Sequence, residues 1–199
     1  MNQNSSSFIA VLDLGGQYAH LIASRLRRLG FYSKIFPEDV NPEDLREAKG
    51  IIISGGGDSV LDKNYPDFDE GIFKLNIPIL GICYGHQILA HKLGGKVSKA
   101  KVGEFGETKL VGSWELGVGS SVWMSHRDEV VTLPEGFEIL ANTKNCRIAA
   151  MGNEKDKIYG VQFHPEVSHT QGGKKLLENF AGQICAMKKN WDIDSYLKK

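Results

Sequence analysis

Gly81-Ile82-Cys83-Tyr84-Gly85-His86-Gln87 joins the apolar run at 77–80 to a helical pattern of apolar residues that ends at Gly94-Gly95. A buried strand that turns directly into a helix through Gly-x-Cys-x-Gly is typical of a nucleophile elbow. The two glycines allow a tight, strained turn in which a Cβ would clash. A lone cysteine is more often a small core residue. Its place between two glycines, at a helix N-terminus whose N–H groups stabilise a thiolate, predicts a nucleophile instead.

Short apolar runs and helical patterns alternate along the chain on both sides of this turn. Residues 8–12 and 51–53 predict buried parallel strands, and residues 21–29 carry apolar side chains at helical spacing. Such alternation predicts an α/β fold with a mixed, mainly parallel central sheet and helices on both faces. Further on, shorter alternating segments at 97–111 and 121–124 predict a small antiparallel flap.

The composition is that of an ordinary globular domain. The chain has 199 residues, a formal net charge of zero and 41% hydrophobic residues, so its charge gives no reason to expect nucleic acid or an anionic membrane as a partner. No apolar run approaches the roughly 18 residues that span a bilayer. The three cysteines stand at irregular positions and do not form a disulfide framework, which predicts a reduced, cytoplasmic compartment.

The domain boundaries follow from the two ends of the chain. The polar, uncharged residues 1–7 predict a disordered lead-in, and residues 8–187 predict one domain that closes with a helix over 172–187. The lysine-rich residues 188–199 predict a C-terminal tail or linker. Cys146 and Cys185 lie in no recognisable motif, and we expect both to be buried and structural.

A cysteine nucleophile needs a base beside its sulfur and a third group that orients the base. Among six histidines, His164 stands at the end of a final alternating strand, 158–163, where α/β sheets place their sites. Glu166 follows two residues later and can accept a hydrogen bond from the imidazole, which predicts the triad Cys83, His164 and Glu166. A strand-end histidine alone is more often structural, and its pairing with an elbow cysteine is what favours catalysis.

Acyl transfer also needs N–H donors aimed at the oxyanion that develops during attack. In an elbow, one donor is the amide that follows the nucleophile, here that of Tyr84. The glycine-rich loop Ser54-Gly55-Gly56-Gly57 follows the strand 51–53 and predicts the second donor.

Three stretches together resemble the class I, triad-type glutamine amidotransferases: residues 81–87, the upstream Ser54-Gly55-Gly56, and the run from Tyr159 to Glu166. The resemblance extends from Val11 to about Met187 and implies a flavodoxin-like core. Within the family, the glutaminase part of GMP synthetase is most similar. The segments that carry this closer likeness are 13–18, 104–107, 123–126 and 166–170, with Trp191 in the tail.

The resemblance implies a role for each matched residue. Cys83 would attack the side-chain amide of glutamine and form a glutamyl thioester, while His164 transfers protons and Glu166 orients it. The backbone amides of Gly56 and Tyr84 would hold the oxyanion. The positions that match glutamine-holding residues of the family are Gln87, Ser125, His126, Arg127 and Asp128.

The resemblance also implies a partner. Ammonia from glutamine would pass to an ATP pyrophosphatase subunit or domain that aminates XMP to GMP, because free ammonia is mostly protonated and non-nucleophilic at neutral pH. No cofactor or metal is expected on this chain, and ATP and Mg²⁺ are expected on the partner. Residues 188–199 would then lead toward the synthetase domain.

Two positions depart from the family's pattern. Gly57 stands where a proline is usual, which predicts a looser loop and an oxyanion hole that forms fully only with the partner. Arg127 stands where glycine is common, among the residues expected to hold glutamine.

The residues also leave other functions open. Ser54-Gly-Gly-Gly-Asp-Ser59 matches the phosphate loop of ATP pyrophosphatases, although residues 60–66 form a poor helix start for binding an anion. His164, Glu166 and His169 are metal-ligand types, although the neighbouring proline and the elbow argue against a metal. The remaining alternatives are the glutaminase component of another class I amidotransferase, a cysteine hydrolase of α/β type, and a binding module whose elbow is vestigial.

Overall fold

The computed structural model describes residues 7–112 and 121–192, in which strands and helices alternate. The strands are β1 Phe8–Asp13, β2 Ser33–Pro37, β3 Ala48–Ile53, β4 Ile79–Ile82, β5 Lys96–Lys109, β6 Ser121–Thr132, β7 Glu138–Ala141, β8 Ala150–Asn153 and β9 Ile158–Val161. The α-helices are α1 Ala19–Arg28, α2 Tyr84–Lys92 and α3 Gly173–Asn179, which a π-helical turn, Phe180–Ile184, extends. Short 3-10 helices cover Pro42–Leu45 and Glu70–Leu75.

The central sheet has the strand order β2-β1-β3-β4-β9-β8-β7. Strands β2, β1, β3, β4 and β9 run parallel, and β8 and β7 are each antiparallel to the preceding strand in the sheet. A mixed, mainly parallel sheet confirms the predicted fold class. The carboxyl ends of β1, β3, β4 and β9 meet at one edge, which is where α/β sheets place ligand sites.

Apolar residues on the two faces of the sheet pack into two separate layers. In β1, Ile9 belongs to one layer and Ala10 to the other, because successive side chains of a strand point to opposite faces. The first layer includes α1 and α3, and the second includes α2 and both 3-10 helices. Burial on both faces explains why these strands appear in the sequence as continuous apolar runs without alternation.

Strands β7 and β8 have no counterpart among the strands predicted from the sequence. β7 is mostly exposed or half-buried along its length, and β8 contains Gly152. Each covers only four residues, so neither gives a periodic signal long enough to identify. Their antiparallel pairing extends the sheet beyond the parallel part.

Strands β5 and β6 pair antiparallel in a separate two-stranded sheet, which confirms the predicted flap. β6 continues to Thr132, well past the predicted end at residue 124. Ser125 to Asp128 therefore lie within a strand of the flap, and the Ser125 carbonyl reaches the Cys83 sulfur.

The described end of the chain packs back onto the domain. The Asn190 side chain accepts from the Tyr32 amide at 3.0 Å and donates to the Ser7 carbonyl, and the Trp191 ring stacks on Tyr32 at 5.0 Å. The predicted lead-in over 1–7 lies outside the described residues except for Ser7, and the predicted tail does so beyond residue 192. Within the described residues, none of the helices has the length and apolar character needed to cross a bilayer.

Candidate active site

Cys83 lies at the turn between β4 and α2, with backbone dihedral angles φ 54° and ψ −106°. A positive φ is costly for a residue with a side chain, and such strain is concentrated at functional sites. Gly85 packs directly on the Ile53 carbonyl, and Gly81 packs on the carbonyl of Gly85. A Cβ at either glycine would collide with backbone atoms. The strained strand-to-helix turn predicted from the sequence is confirmed.

The sulfur of Cys83 is nearly enclosed, since only 5% of the residue is exposed. Sγ lies 3.6 Å from the Ser125 carbonyl oxygen and 3.8 Å from Nε2 of Gln162. Cys83 also directly precedes the first turn of α2, where amide N–H groups lack partners within the helix. The sulfur thus has the Ser125 carbonyl and the Gln162 side-chain amide beside it, and its place at a helix N-terminus favours a negative charge on sulfur.

His164 follows β9 at the same edge of the sheet. Its carbonyl accepts from Thr170 Oγ1 at 2.6 Å, which fixes the backbone, and its Nδ1 lies 2.7 Å from Oε1 of the buried Glu166. A Cβ at Gly55 would lie 3.3 Å from His164 Cε1 and 3.5 Å from Cys83 Cβ. The imidazole and the thiol therefore share the space beside this glycine.

Two hydrogen-bonding partners determine the charge of His164. Burial disfavours the imidazolium, yet hydrogen bonds with Cys83 and Glu166 outweigh this effect and raise the pKa of His164 to about 10. Because Nδ1 faces the carboxylate, Nε2 is the nitrogen available to Cys83. The structure thus brings the three predicted triad residues together, and their arrangement can support acyl transfer through a cysteine.

The glycine-rich loop after β3 lies beside the elbow, as the sequence predicts. A Cβ at Gly56 would lie 3.5 Å from the Tyr84 ring, and within the described residues neither the Gly56 nor the Tyr84 amide donates a hydrogen bond. Ser54 Oγ accepts from the Leu14 amide at 3.2 Å, and Ser59 Oγ donates to the Asp128 carboxylate. Both ends of the loop are therefore tied to neighbouring elements. Its predicted dependence on a partner stays a prediction.

The five predicted glutamine-holding residues divide into two groups. The side-chain nitrogen of Gln87 donates to the Asp128 carbonyl at 2.8 Å and to Gln162 Oε1 at 3.1 Å, and the Asp128 carboxylate accepts from Ser59. Gln87 and Asp128 are thus engaged within the protein, as is the buried His126. Ser125 and Arg127 are exposed on β6, so they are the members whose side chains are open to solvent.

His126 belongs to a buried polar cluster behind the site. Its Nδ1 donates to the Asp128 carbonyl at 3.0 Å, and its Nε2 lies 3.4 Å from a Glu104 carboxylate oxygen. Thr143 Oγ1 donates to the same carboxylate, and ligand atoms of Glu104, His126 and Cys146 lie within 4.8 Å of one another. Burial raises the pKa of the Cys146 thiol to about 12, which favours its neutral form. These contacts give the cluster a structural role that joins the flap to the domain.

Sequence reasoning missed three residues that contact the triad. The Tyr18 ring lies over His164, with centroids 4.7 Å apart, and Arg25 Nε donates to the Glu166 carbonyl at 2.9 Å. Gln162 lies 3.8 Å from the Cys83 sulfur. It stands two residues before His164, and the period-two rule for strands would have placed both side chains on one face.

The fold and the cysteine site together define a class of protein. The chain belongs to the class-I glutamine amidotransferase family, whose model matches residues 10–184. A glutamine-hydrolyzing GMP synthase from Caldicellulosiruptor saccharolyticus is 49% identical over 199 aligned positions, which cover 96% of this chain and 39% of that protein. The GMP synthase of Clostridium perfringens is 46% identical, with the same coverage. This chain therefore spans about two fifths of the length of these curated relatives.

Two solved structures share the fold of this chain. A Thermoplasma acidophilum protein described as a subunit of GMP synthase has a TM-score of 0.80 and 37% identity, with 98% of both chains covered. A glutamine amidotransferase from Thermotoga maritima has a TM-score of 0.63, covering 91% of this chain and 85% of that chain. At 21% identity, this second likeness is one of fold alone.

Proposed function

We propose that this chain is the glutaminase part of a GMP synthase and acts with a synthetase partner that aminates XMP to GMP. The observation that carries the proposal is Cys83 on its strained turn, with its side chain beside Gly55 next to an imidazole that Glu166 orients. The names of the relatives support this choice of ammonia acceptor. The Thermoplasma protein, described as one subunit of such an enzyme, has nearly the same extent as this chain.

In the proposed reaction, the Cys83 thiolate attacks the side-chain amide carbon of glutamine. His164 gives its proton to the departing nitrogen, so that ammonia leaves and a glutamyl thioester remains. Water, deprotonated by His164, then attacks the thioester carbon, and glutamate is released as the sulfur becomes a thiolate again. In both steps the amides of Gly56 and Tyr84 stabilise the oxyanion.

The surroundings of Cys83 also suggest where glutamine is held. Ser125 and Arg127 are exposed on the strand that borders the sulfur, so we assign them direct contact with the substrate. Gln87, His126 and Asp128 then act by holding that strand in position. This division of roles refines the five positions that the family resemblance implied.

The partner supplies the remaining chemistry in this proposal. It binds ATP and Mg²⁺, activates XMP and receives ammonia before the ammonia is protonated in water. The three cysteines of the chain are free thiols, which fits a reducing cytoplasm as the compartment.

Glutamine turnover tests the proposed chemistry. We expect ammonia release from glutamine by the wild type and a loss of roughly a thousandfold or more in Cys83→Ala, since removal of the nucleophile removes the covalent route. Cys185→Ala, which removes a buried thiol of the C-terminal segment, is the matched control and should retain turnover. Equal turnover in Cys83→Ala and the wild type would contradict the triad assignment.

A second measurement tests the acceptor. The wild type is mixed with the ATP pyrophosphatase part of a GMP synthase, and XMP, ATP, Mg²⁺ and glutamine are added, with glutamine as the nitrogen source. This mixture should form GMP, while the same mixture with Cys83→Ala should not. Ammonium in place of glutamine should restore GMP formation in that variant mixture. Glutamine turnover that never supports XMP amination would instead favour another class I amidotransferase.

A further inference from the structure

A chain of side-chain amides runs from β6 to the Cys83 sulfur. Gln87 Nε2 donates to the Asp128 carbonyl at 2.8 Å and to Gln162 Oε1 at 3.1 Å. Gln162 Nε2 lies 3.8 Å from Cys83 Sγ, within hydrogen-bonding range of a sulfur. Gln162 is fully buried, and its backbone N–H donates to the Ala149 carbonyl at 2.9 Å. Gln162 is therefore held in place through both its backbone and its side-chain amide.

The orientation of both amide groups follows from a single carbonyl. The Asp128 backbone oxygen can only accept, so the group that Gln87 turns toward it must be the NH₂ group. The second hydrogen of that NH₂ points at Gln162, which must present its oxygen. Gln162 consequently turns its own NH₂ group toward the sulfur of Cys83. Reversing the Gln87 amide would place its oxygen against the Asp128 carbonyl, so that two acceptors would face each other. Reversing the Gln162 amide would place its NH₂ group against that of Gln87, so that two donors would face each other.

A fixed donor at this position favours one charge state of the sulfur. A neutral thiol can donate to the Ser125 carbonyl, which lies 3.6 Å away. A thiolate has no hydrogen to donate, so the same carbonyl repels it, and an N–H donor on another side offsets that repulsion. Gln162 supplies such a donor within a buried site, where each hydrogen bond to a charged group matters more than in water.

We propose that Gln162 is a positioning residue that stabilises the Cys83 thiolate and aims the sulfur, with Gln87 fixing the direction of its amide. The proposal deepens the proposed glutaminase function, because the thiolate it supports is the nucleophile of that reaction. Gln162 acts through Cys83, and its side chain has no need to touch glutamine. A purely structural role would require only that the side chain fill its space.

Two substitutions separate these roles. Gln162→Met keeps the length and volume of the side chain but removes both the carbonyl oxygen and the NH₂ group of its amide. Gln162→Glu keeps the shape and replaces the donor with an ionisable carboxyl. Gln183→Glu, the same change at an exposed glutamine of the C-terminal segment, is the matched control. Because Gln162 is buried, circular dichroism and urea unfolding would establish that each variant is folded.

The primary readout is alkylation of Cys83 by iodoacetamide across a pH series, followed by mass spectrometry of the peptide that contains Cys83. We expect the rate at neutral pH to fall roughly tenfold in Gln162→Met, as for a lost hydrogen bond to a charged group. A larger fall is expected in Gln162→Glu, and the midpoint of the pH profile should move upward in both. Gln183→Glu should match the wild type. Gln87→Leu, which frees the Gln162 amide to turn, should give an intermediate shift and serves if the Gln162 variants fail to fold.

Turnover gives an independent measurement. In the Gln162 variants kcat for glutamine should fall while KM changes little, because the residue acts on the nucleophile. An unchanged alkylation profile in folded Gln162→Met and Gln162→Glu would overturn the proposal whatever their turnover. A shifted profile in a protein that never hydrolyses glutamine would support Gln162 as a thiolate partner and would defeat the proposed function alone.

Discussion

The conformation of Cys83 depends on neighbours that leave no room for a side chain. Gly85 packs against the Ile53 carbonyl so closely that a Cβ could not be accommodated without moving the backbone. The helix that follows would have to shift away from β3, and the positive φ of Cys83 would lose its support. At the scale of single residues, glycine flanks Cys83 in the sequence because a larger residue at Gly85 would collide with the backbone.

Gly85→Ala should destabilise the protein by about 3 kcal/mol, because overpacking against backbone is costly. Gly57→Ala is the matched control, since a Cβ at Gly57 would meet no atom within 4 Å, and its effect should stay below about 0.5 kcal/mol. The measurement is the free energy of unfolding in urea. Equal stabilities for the two variants would show that the elbow tolerates a side chain.

The raised pKa of His164 has a consequence for stability. The folded protein holds this proton up to about pH 10, whereas an unfolded histidine releases it near pH 6.5. The stabilisation is thus fully present below about pH 6.5 and is lost as the pH rises toward about 10.

Glu166→Gln removes one of the two acceptors that raise this pKa. The difference in unfolding free energy between the wild type and Glu166→Gln should therefore be largest near pH 6.5 and shrink toward pH 10. Glu135→Gln, at an exposed position, is the control and should show no such trend. A difference that stays constant with pH would contradict the assigned pairing of His164.

Local signals in the sequence predicted the triad residues and the glycine-rich loop beside them, but not the contacts that α1 makes with the site. Cys83 is marked by its glycines, and His164 and Glu166 by their spacing at a strand end. Tyr18 and Arg25 reach the site from α1 and the turn before it, and that contact depends on how the helix packs across the sheet. No periodicity within α1 specifies such a contact, because helical spacing shows only which face of the helix is apolar.

At the scale of elements, the flap is joined to the domain by a buried carboxylate. Glu104 of β5 accepts from Thr143, outside the flap, and lies against His126 of β6. Period-two patterns predicted β5 and the start of β6. They could not show that Glu104 points inward, since buried carboxylates are rare and depend on partners distant in the sequence.

Glu104→Gln should lower the free energy of unfolding by about 3 kcal/mol, because it weakens the hydrogen bonds that a buried carboxylate accepts. Glu107→Gln changes the neighbouring flap carboxylate, which is bonded to Ser121, and should cost about 1 kcal/mol or less. Urea unfolding, monitored by tryptophan fluorescence, would give the free energy of unfolding of both variants. A smaller loss for Glu104→Gln than for Glu107→Gln would show that the flap is held elsewhere.

At the scale of the whole molecule, the C-terminal segment closes one side of the domain. Trp191 stacks on Tyr32 and receives a cation–π contact from Arg27, whose Cζ lies 5.7 Å from the ring centroid. The sequence predicted a tail or linker from residue 188. It did not identify Tyr32 and Arg27 as the partners of Trp191, because a single aromatic residue among lysines gives no sign of what it packs against.

Trp191→Ala should destabilise the domain by about 1–2 kcal/mol through the lost aromatic and cation–π contacts. Glutamine turnover should be unchanged, since none of these contacts involves the triad. Lys188→Ala, at an exposed neighbouring position, is the control for both measurements. Loss of turnover in folded Trp191→Ala would contradict this prediction and would mean that docking of the C-terminal segment affects the geometry of the triad.

Under the proposed function, the docking of Trp191 also restricts how an ammonia acceptor can be placed. Tyr32 and Ser7 precede β2 and β1, so the segment docks at the amino ends of the strands, whereas Cys83 follows the carboxyl end of β4. At ~3.3 Å per residue, the length of β1 separates these two sides by about 20 Å. A polypeptide that continues past Trp191 starts at the opposite ends of the strands from the Cys83 sulfur. An acceptor reached through it must wrap around the domain, approach from a neighbouring molecule, or receive ammonia along a passage of comparable length.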